Sequence, residues 1–194
     1  VFTNLKNAFP GKSEKELKGI ASHFYQNLFD TIVESIKLVT ISKKAINMRC
    51  EFEGTELVQQ YFEKGKSIIT VVGHFANWEI GTISDGRVSD HEMYTIYKKQ
   101  SNPHFDEFMK RTRARFGFKL LEMREVNDFY QNHSAQPSFT VFIADQTPAN
   151  PQKSYWTTFL NQQTPVFWGP EILARRYDLP VFFGEIDRIK RGQF

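Results

Sequence analysis

From residue 66 onward the chain alternates short apolar runs with stretches of helical period, and no other feature limits its fold as much. The runs are Ile68 to Val72, Met93 to Tyr97, Phe139 to Ala144 and Val181 to Ile186. Short runs that are apolar throughout suit strands covered on both faces, which is the environment of a mostly parallel sheet. Helical stretches lie between them at about 77–84, 102–116, 125–133 and 170–177, with Asn77 in a capping position and Pro170 in a first turn, where its missing amide does no harm. The fold class is therefore α/β: a mostly parallel mixed sheet flanked by helices.

An N-terminal helical segment precedes the sheet. Ser13 and Glu16 have the spacing of a capping box, and Leu17, Ile20, Phe24, Leu28, Ile32 and Ile36 then keep a helical period. Lys15, Lys18, Gln26, Asp30 and Glu34 occupy its other side. A two-sided helix of this kind packs its stripe on a core or lies in a membrane interface, and the mixed charges favour the core. A short helix is expected near 42–48, and Thr55, after Gly54, is the expected cap of another running to about Lys64. The stretch 146–166, with Pro148, Asn150, Pro151 and Pro165, is read as a long loop without regular structure, and loops of that length are more often functional than idle.

Composition narrows the function classes. At 194 residues with 40% hydrophobic and 24% charged content, the chain is neither disordered nor collagen-like, and no apolar stretch reaches the ~18 residues of a membrane span. The reading is one domain over residues 1–194, in a piece of a longer protein. One cysteine, Cys50, makes neither an internal disulfide nor a thiolate metal site, and a reducing, cytoplasm-facing location is the default. The net charge is only +3, but residues 97–119 carry seven lysines and arginines against two acids, a local +5. Phosphate groups, an acidic carrier protein or an anionic membrane surface suit such a segment, and so does plain solvation of a basic helix.

Ligands of open α/β sheets bind beyond the carboxyl ends of strands, so the residues just past each run come first: Gly73-His74, Lys98-Lys99 and Asp145-Gln146. His74 falls in a strand-to-helix turn, and Glu79 five residues later is able to reach back to its ring. A carboxylate on one ring nitrogen leaves the other free to take a proton from a hydroxyl; the alternative is an isolated histidine at a strand end beside a surface glutamate. On a helical wheel Phe105, Phe108, Met109, Thr112 and Phe116 share one stripe, flanked by Arg113 on one shoulder and Arg111 with Arg115 on the other. Arginines so placed either fork onto phosphate or carboxylate oxygens in a cleft or stay in water. Serine-hydrolase elbow, zinc-protease helix, phosphate loop and dinucleotide fingerprint are all missing from the sequence, and His23, His91, His104 and His133 are too scattered to converge on a metal. The 19 phenylalanines suit an acyl-chain groove or an aromatic core, and the core is the expectation for most.

Gly73-His74-Phe75-Ala76-Asn77-Trp78-Glu79 resembles the H-x4-[DE] block of glycerolipid-type acyltransferases, most closely the H-F-[GA]-N-W-E form of the lipid A biosynthesis acyltransferases. Tyr97-Lys98, Asn102-Pro103 and Arg111, Arg113, Arg115 are similar to that family's second block, and Asp145-Gln146 to its third. Phe159-Leu160 through Pro165, Gly169, Ala174 and Leu179-Pro180-Val181 resembles the family's segment beyond the third block, and Asn4-Leu5 with Ala8-Phe9-Pro10 resembles its early segment. Ala76 stands where many members have glycine. The resemblance implies a glycerolipid acyltransferase-like fold and transfer of a fatty acyl group from acyl-carrier protein or acyl-coenzyme A to a lipid hydroxyl. It implies His74 as general base, Glu79 as its orienting partner, and substrate contacts from Asn77, Tyr97, Lys98, Asn102, Arg111, Arg113, Arg115, Asp145 and Gln146. It implies no metal, no other cofactor, no nucleic acid, and contact with the cytoplasmic face of the inner membrane. A lysophospholipid acyltransferase, a thioester or lipid hydrolase, a decayed scaffold and a phosphate-rich ligand module are the competing readings.

Overall fold

A computed structural model of the chain describes residues 1–84, 88–132 and 136–194. The capping box forms as its spacing predicts: Ser13 Oγ accepts from the Glu16 amide at 3.4 Å, and Glu16 Oε2 accepts from the Ser13 amide at 2.9 Å. It opens α2 (Glu14–Lys37), which comes after a helix the periodicity did not reveal, α1 (Phe2–Ala8). Ser42 caps α3 (Lys43–Asn47). In α4 (Thr55–Glu63) the expected cap moves by one: Gly54, at φ +73°, is the N-cap, and Thr55 begins the helix without a side-chain cap bond. The chain enters this helix through a left-handed residue, which glycine adopts without steric cost.

Then come β1 (Ile68–Val72), α5 (Trp78–Ile83), β2 (Glu92–Tyr97), α6 (Pro103–Ala114), β3 (Lys119–Glu122), α7 (Val126–Asn132) and β4 (Ser138–Ile143). A hairpin of β5 (Tyr155–Phe159) and β6 (Gln162–Val166), α8 (Gly169–Tyr177) and β7 (Val181–Phe183) complete the order. The helix expected over 125–133 is described as far as Asn132, and His133 lies outside the described residues. The main sheet runs β3-β2-β4-β1-β7 with every pairing parallel. Its two faces obey the period of two. Ile69, Tyr94, Ile96 and Phe142 pack with Val126 and Leu173 of α7 and α8, while Ile68, Val72, Phe139 and Val141 pack with Val58 of α4.

Several expectations need correction. β3 was not anticipated, because Lys-Leu-Leu-Glu is too short and too charged at its ends to register as an apolar run. The last strand stops at Phe183 rather than Ile186. The expected loop at 146–166 contains a 3-10 turn at Pro151–Lys153 and the β5–β6 hairpin. Leu160 and Asn161, at φ +48° and +61°, make its two-residue turn, and Pro165 is tolerated because a two-stranded ribbon consists of edges.

Both amphipathic helices are oriented differently from the direction their wheels suggest. The apolar stripe of α2 is exposed at Phe24, Leu28, Ile32 and Ile36, and it is the polar side that meets the protein. Arg188 and Arg191 bind Asp30, Asn77 binds Glu34, and the Ala76 carbonyl accepts from Thr31. In α6, Phe105 and Phe108 point outward in a stacked pair, while Asp106, Thr112 and, just past the helix, Phe116 are buried. Asp106 turns in because it accepts the Gln100 amide at 2.8 Å and pairs with Lys110, and these bonds hold its carboxyl below the usual carboxylate range. The core therefore takes fewer phenylalanines than expected: Phe116, Phe118, Phe139, Phe142 and Phe194 are buried, whereas Phe24, Phe29, Phe75, Phe105, Phe108, Phe159 and Phe183 are exposed.

Candidate active site

Strand order locates the site. From β1 the chain crosses to β2 on one side of the sheet, and from β4 it returns past β1 to β7 on the other. Connections leaving neighbouring strands in opposite directions open a crevice at their carboxyl ends. Val72 and Ile143 are paired across that boundary, so the second residue beyond each strand, His74 after β1 and Asp145 after β4, arrive at the same place.

The two side chains meet closely. Asp145 Oδ1 lies 2.5 Å from His74 Nδ1, and Asp145 Oδ2 accepts from the His74 backbone amide at 2.7 Å. One carboxylate thus grips both ring and backbone of the same residue. Gly73 eases the approach: a Cβ there would lie 3.3 Å from Asp145 Oδ2, a tight contact. The ring's other nitrogen, Nε2, is 3.2 Å from the Gln146 side-chain amide. Trp78 packs edge-on against the imidazole, with ring centres 4.9 Å apart. The imidazole side chain retains 29% exposure, so a substrate is able to reach it.

Glu79 is near but differently engaged. It is buried in the first turn of α5, and Arg113 of α6 binds it through both Nη2 and Nε. The expectation that Glu79 reaches back to the imidazole is therefore corrected in this structure: Arg113 holds Glu79, and Asp145 holds His74. A buried carboxylate demands a partner, and a guanidinium that serves it with two donors satisfies more of its oxygens than a single ring nitrogen. Arg113 also lies against the Trp78 ring, 5.9 Å from its centre. His74, Trp78, Arg113 and Glu79 consequently form one chain of contacts.

The remaining expected residues separate into those at the site and those beside it. Asn77 is buried; its oxygen caps α5 by accepting from the Ile80 amide at 3.1 Å, and its nitrogen donates to Glu34 at 2.6 Å. Ala76, the residue before it, has φ +48°, a left-handed conformation that glycine adopts without steric cost. Tyr97 and Arg113 line a hollow of about 120 Å³ with Phe105, Met109 and Lys110. Within it the bonds from Tyr97 and then Asp106 push the Lys110 ammonium well above its usual range. Lys98 is exposed. Asn102 caps α6, accepting the His104 and Phe105 amides at 3.0 and 3.2 Å, so its oxygen is occupied by the helix and not by a ligand. Arg111 pairs with Glu107 on the outer face at 2.8 Å. Arg115 spends its donors on the carbonyls of Leu38, Val39 and Ile41, which ties the end of α2 to α6 and removes it from the expected substrate contacts. Among the described residues, no three His, Cys, Asp or Glu side chains are grouped as metal ligands would be.

Two contributors had no local signal. Glu34 meets Asn77 across 43 residues, and Trp78 was visible only as part of a motif.

Comparison with known proteins shows the family of the chain. The pattern of the bacterial lipid A biosynthesis acyltransferase family matches residues 1–194, and the chain belongs to that family. It is 29% identical over 147 residues to the lipid A biosynthesis acyltransferase of Haemophilus influenzae, covering 74% of this chain and 45% of the relative. It is 25% identical over 118 residues to the lipid A biosynthesis myristoyltransferase of Escherichia coli, covering 60% of this chain and 36% of the relative. The matched region thus spans less than half the length of either relative.

Proposed function

We propose that this chain is the acyltransferase domain of an enzyme that moves a fatty acyl group from a thioester, carried by acyl-carrier protein or coenzyme A, to a hydroxyl of a lipid A precursor. The observation that carries the reading is the oriented imidazole: Asp145 lies 2.5 Å from Nδ1, the Gln146 amide 3.2 Å from Nε2, and the side chain keeps 29% exposure. Family membership supplies the reaction class.

In this reading the acceptor hydroxyl displaces the Gln146 amide from Nε2 and gives its proton to His74. Asp145 holds the tautomer with hydrogen on Nδ1 and stabilises the imidazolium that forms. The hydroxyl oxygen attacks the thioester carbonyl, a C–O bond forms, and the tetrahedral intermediate expels the thiolate. That thiolate takes the proton back from His74, so donor thiol and acyl ester leave with the enzyme unchanged and no acyl-enzyme formed. Glu79 serves by fixing Arg113, which supports Trp78 behind the imidazole. Asn77 shapes the loop, and Gln146 faces the reacting oxygen. Tyr97 and Arg113 line the neighbouring hollow, where a substrate chain or head group enters. Exposed Lys98 and Arg111 face the phosphates of the acceptor or of the carrier arm, and contact with the cytoplasmic surface of the inner membrane brings the lipid acceptor within reach.

The test is acyl transfer by the full-length protein, with acyl-carrier protein and coenzyme A thioesters offered to a lipid A precursor and to lysophospholipids. Products are read by mass spectrometry beside His74→Ala. Transfer to the lipid A precursor that vanishes in the variant supports the reading. Undiminished transfer by folded His74→Ala removes the base assignment, a preference for lysophospholipid moves the acceptor, and acyl release that ignores the acceptor makes the protein a hydrolase.

A further inference from the structure

Helix α2 is inside out. Its polar residues Asp30, Thr31 and Glu34 are turned to the protein, and each has a partner there. The opposite side presents Tyr25, Leu28, Phe29, Ile32, Val33 and Ile36 to the surface, with Phe29 63% and Ile36 68% exposed. A soluble helix ordinarily does the reverse, and an apolar patch of this extent marks a surface that meets something.

The charge pattern says what. Between Gly19 and Ile36 the only Asp, Glu, Lys or Arg residues are Asp30 and Glu34, and both are turned inward, so the outward side carries no charge over five turns. Exposed Lys37 follows directly, and exposed Lys44 lies in α3, the next helix. A charge-free apolar face ending in lysines matches the hydrocarbon-to-headgroup boundary of a membrane with anionic lipids. A protein partner would be expected to offer this long face at least some charge or hydrogen-bond complementarity. No helix among the described residues is long and apolar enough to cross a membrane, so the fit is to a helix lying along the surface.

We propose that α2 is the membrane-seating element of this protein, lying in the surface of an anionic phospholipid bilayer with Tyr25, Phe29, Ile32 and Ile36 among the acyl chains. The inference rests on the lipid-acceptor reading above and extends it. Thr31 reaches the Ala76 carbonyl at 3.4 Å and Glu34 binds Asn77 at 2.6 Å, so the helix that meets the bilayer is bonded directly to the loop carrying His74. The depth of α2 in the membrane therefore sets the height of the catalytic imidazole above the lipid acceptor.

The experiment places single cysteines at Phe29→Cys, Ile36→Cys and, as a control on α4, Glu63→Cys, in full-length protein carrying Cys50→Ser. Each is labelled with a fluorophore, and the protein is reconstituted with vesicles of phosphatidylethanolamine and phosphatidylglycerol. Doxyl-labelled lipid is expected to remove most of the emission at positions 29 and 36 and little at 63, with aqueous iodide giving the opposite order. Quenching of 29 and 36 by iodide would overturn the proposal, since the face is then in water. Protection from both quenchers would overturn it too, since a second copy or another segment of the chain then covers the helix. The same labels in the His74→Ala background are expected to be quenched by lipid equally well. Lipid quenching without acyl transfer by the wild type would sink the acyltransferase reading while leaving the membrane seat standing.

Discussion

Two carboxylates lie within reach of the site chemistry, and they have different work. Asp145 is half exposed and touches the imidazole; Glu79 is buried and touches Arg113. Asp145→Asn is expected to leave the protein folded while lowering kcat by ~100-fold or more, because an amide neither enforces the tautomer nor stabilises the imidazolium. Glu79→Gln is expected to act first on stability. It strands a largely buried guanidinium, and removal of one partner from such a pair costs about 3 kcal/mol, read from the shift of the urea midpoint. If the effects are exchanged, with Glu79→Gln folded but inactive and Asp145→Asn merely less stable, the assignment of the orienting carboxylate reverses. Sequence alone marked His74, Glu79 and Asp145 as members of one site, since each lies just past an apolar run or starts a helix. It paired the imidazole with the carboxylate five residues away, whereas the structure pairs it with one 71 residues away.

Among the elements, α2 depends on contacts that no periodicity describes. Its start is local: Ser13 and Glu16 exchange bonds within one turn. Its end is held from a distance by Arg115, whose Nη1 and Nη2 each lie 2.9 Å from a carbonyl, those of Leu38 and Ile41. Arg115→Ala is expected to cost about 1–2 kcal/mol in urea unfolding, and Arg115→Lys to recover little, because a compact ammonium cannot span carbonyls that a planar fork reaches together. The wheel of α6 set Arg113 apart from Arg111 and Arg115 correctly and misjudged the direction of Phe105 and Phe108. Arg113 goes inward because a buried carboxylate waits there, and Phe105 turns outward because Asp106, one residue on, is needed beneath the Gln100 amide. Partners of that kind come from other elements, and a window of one helix does not contain them.

Across the whole molecule, the buried His91 makes stability respond to pH. Its ring lies between the Lys66 carbonyl at 2.9 Å and the Ser89 hydroxyl at 2.6 Å, against Phe62 and Phe139. Burial holds its pKa below the ordinary imidazole value, although the Lys66 carbonyl and the neighbouring Asp90 act the other way. The unfolded chain therefore binds the proton more readily. Stability is expected to be full above the unfolded value of about 6.5 and to decline as pH falls from there toward the lower folded value. Urea titrations across that window test this, and His91→Gln is expected to flatten the slope.

By itself the sequence determined the α/β alternation, three of the five parallel strands among the described residues to within a residue, the caps at Ser13 and Asn77, and the histidine loop. All of these are set by neighbours within a few positions. Tertiary structure alone decided which carboxylate grips His74 and which side of α2 faces out. Both depend on groups brought together from distant positions: Asp145 by the pairing of Val72 with Ile143, and Arg188, Arg191 and Asn77 by the packing of α2 over the histidine loop.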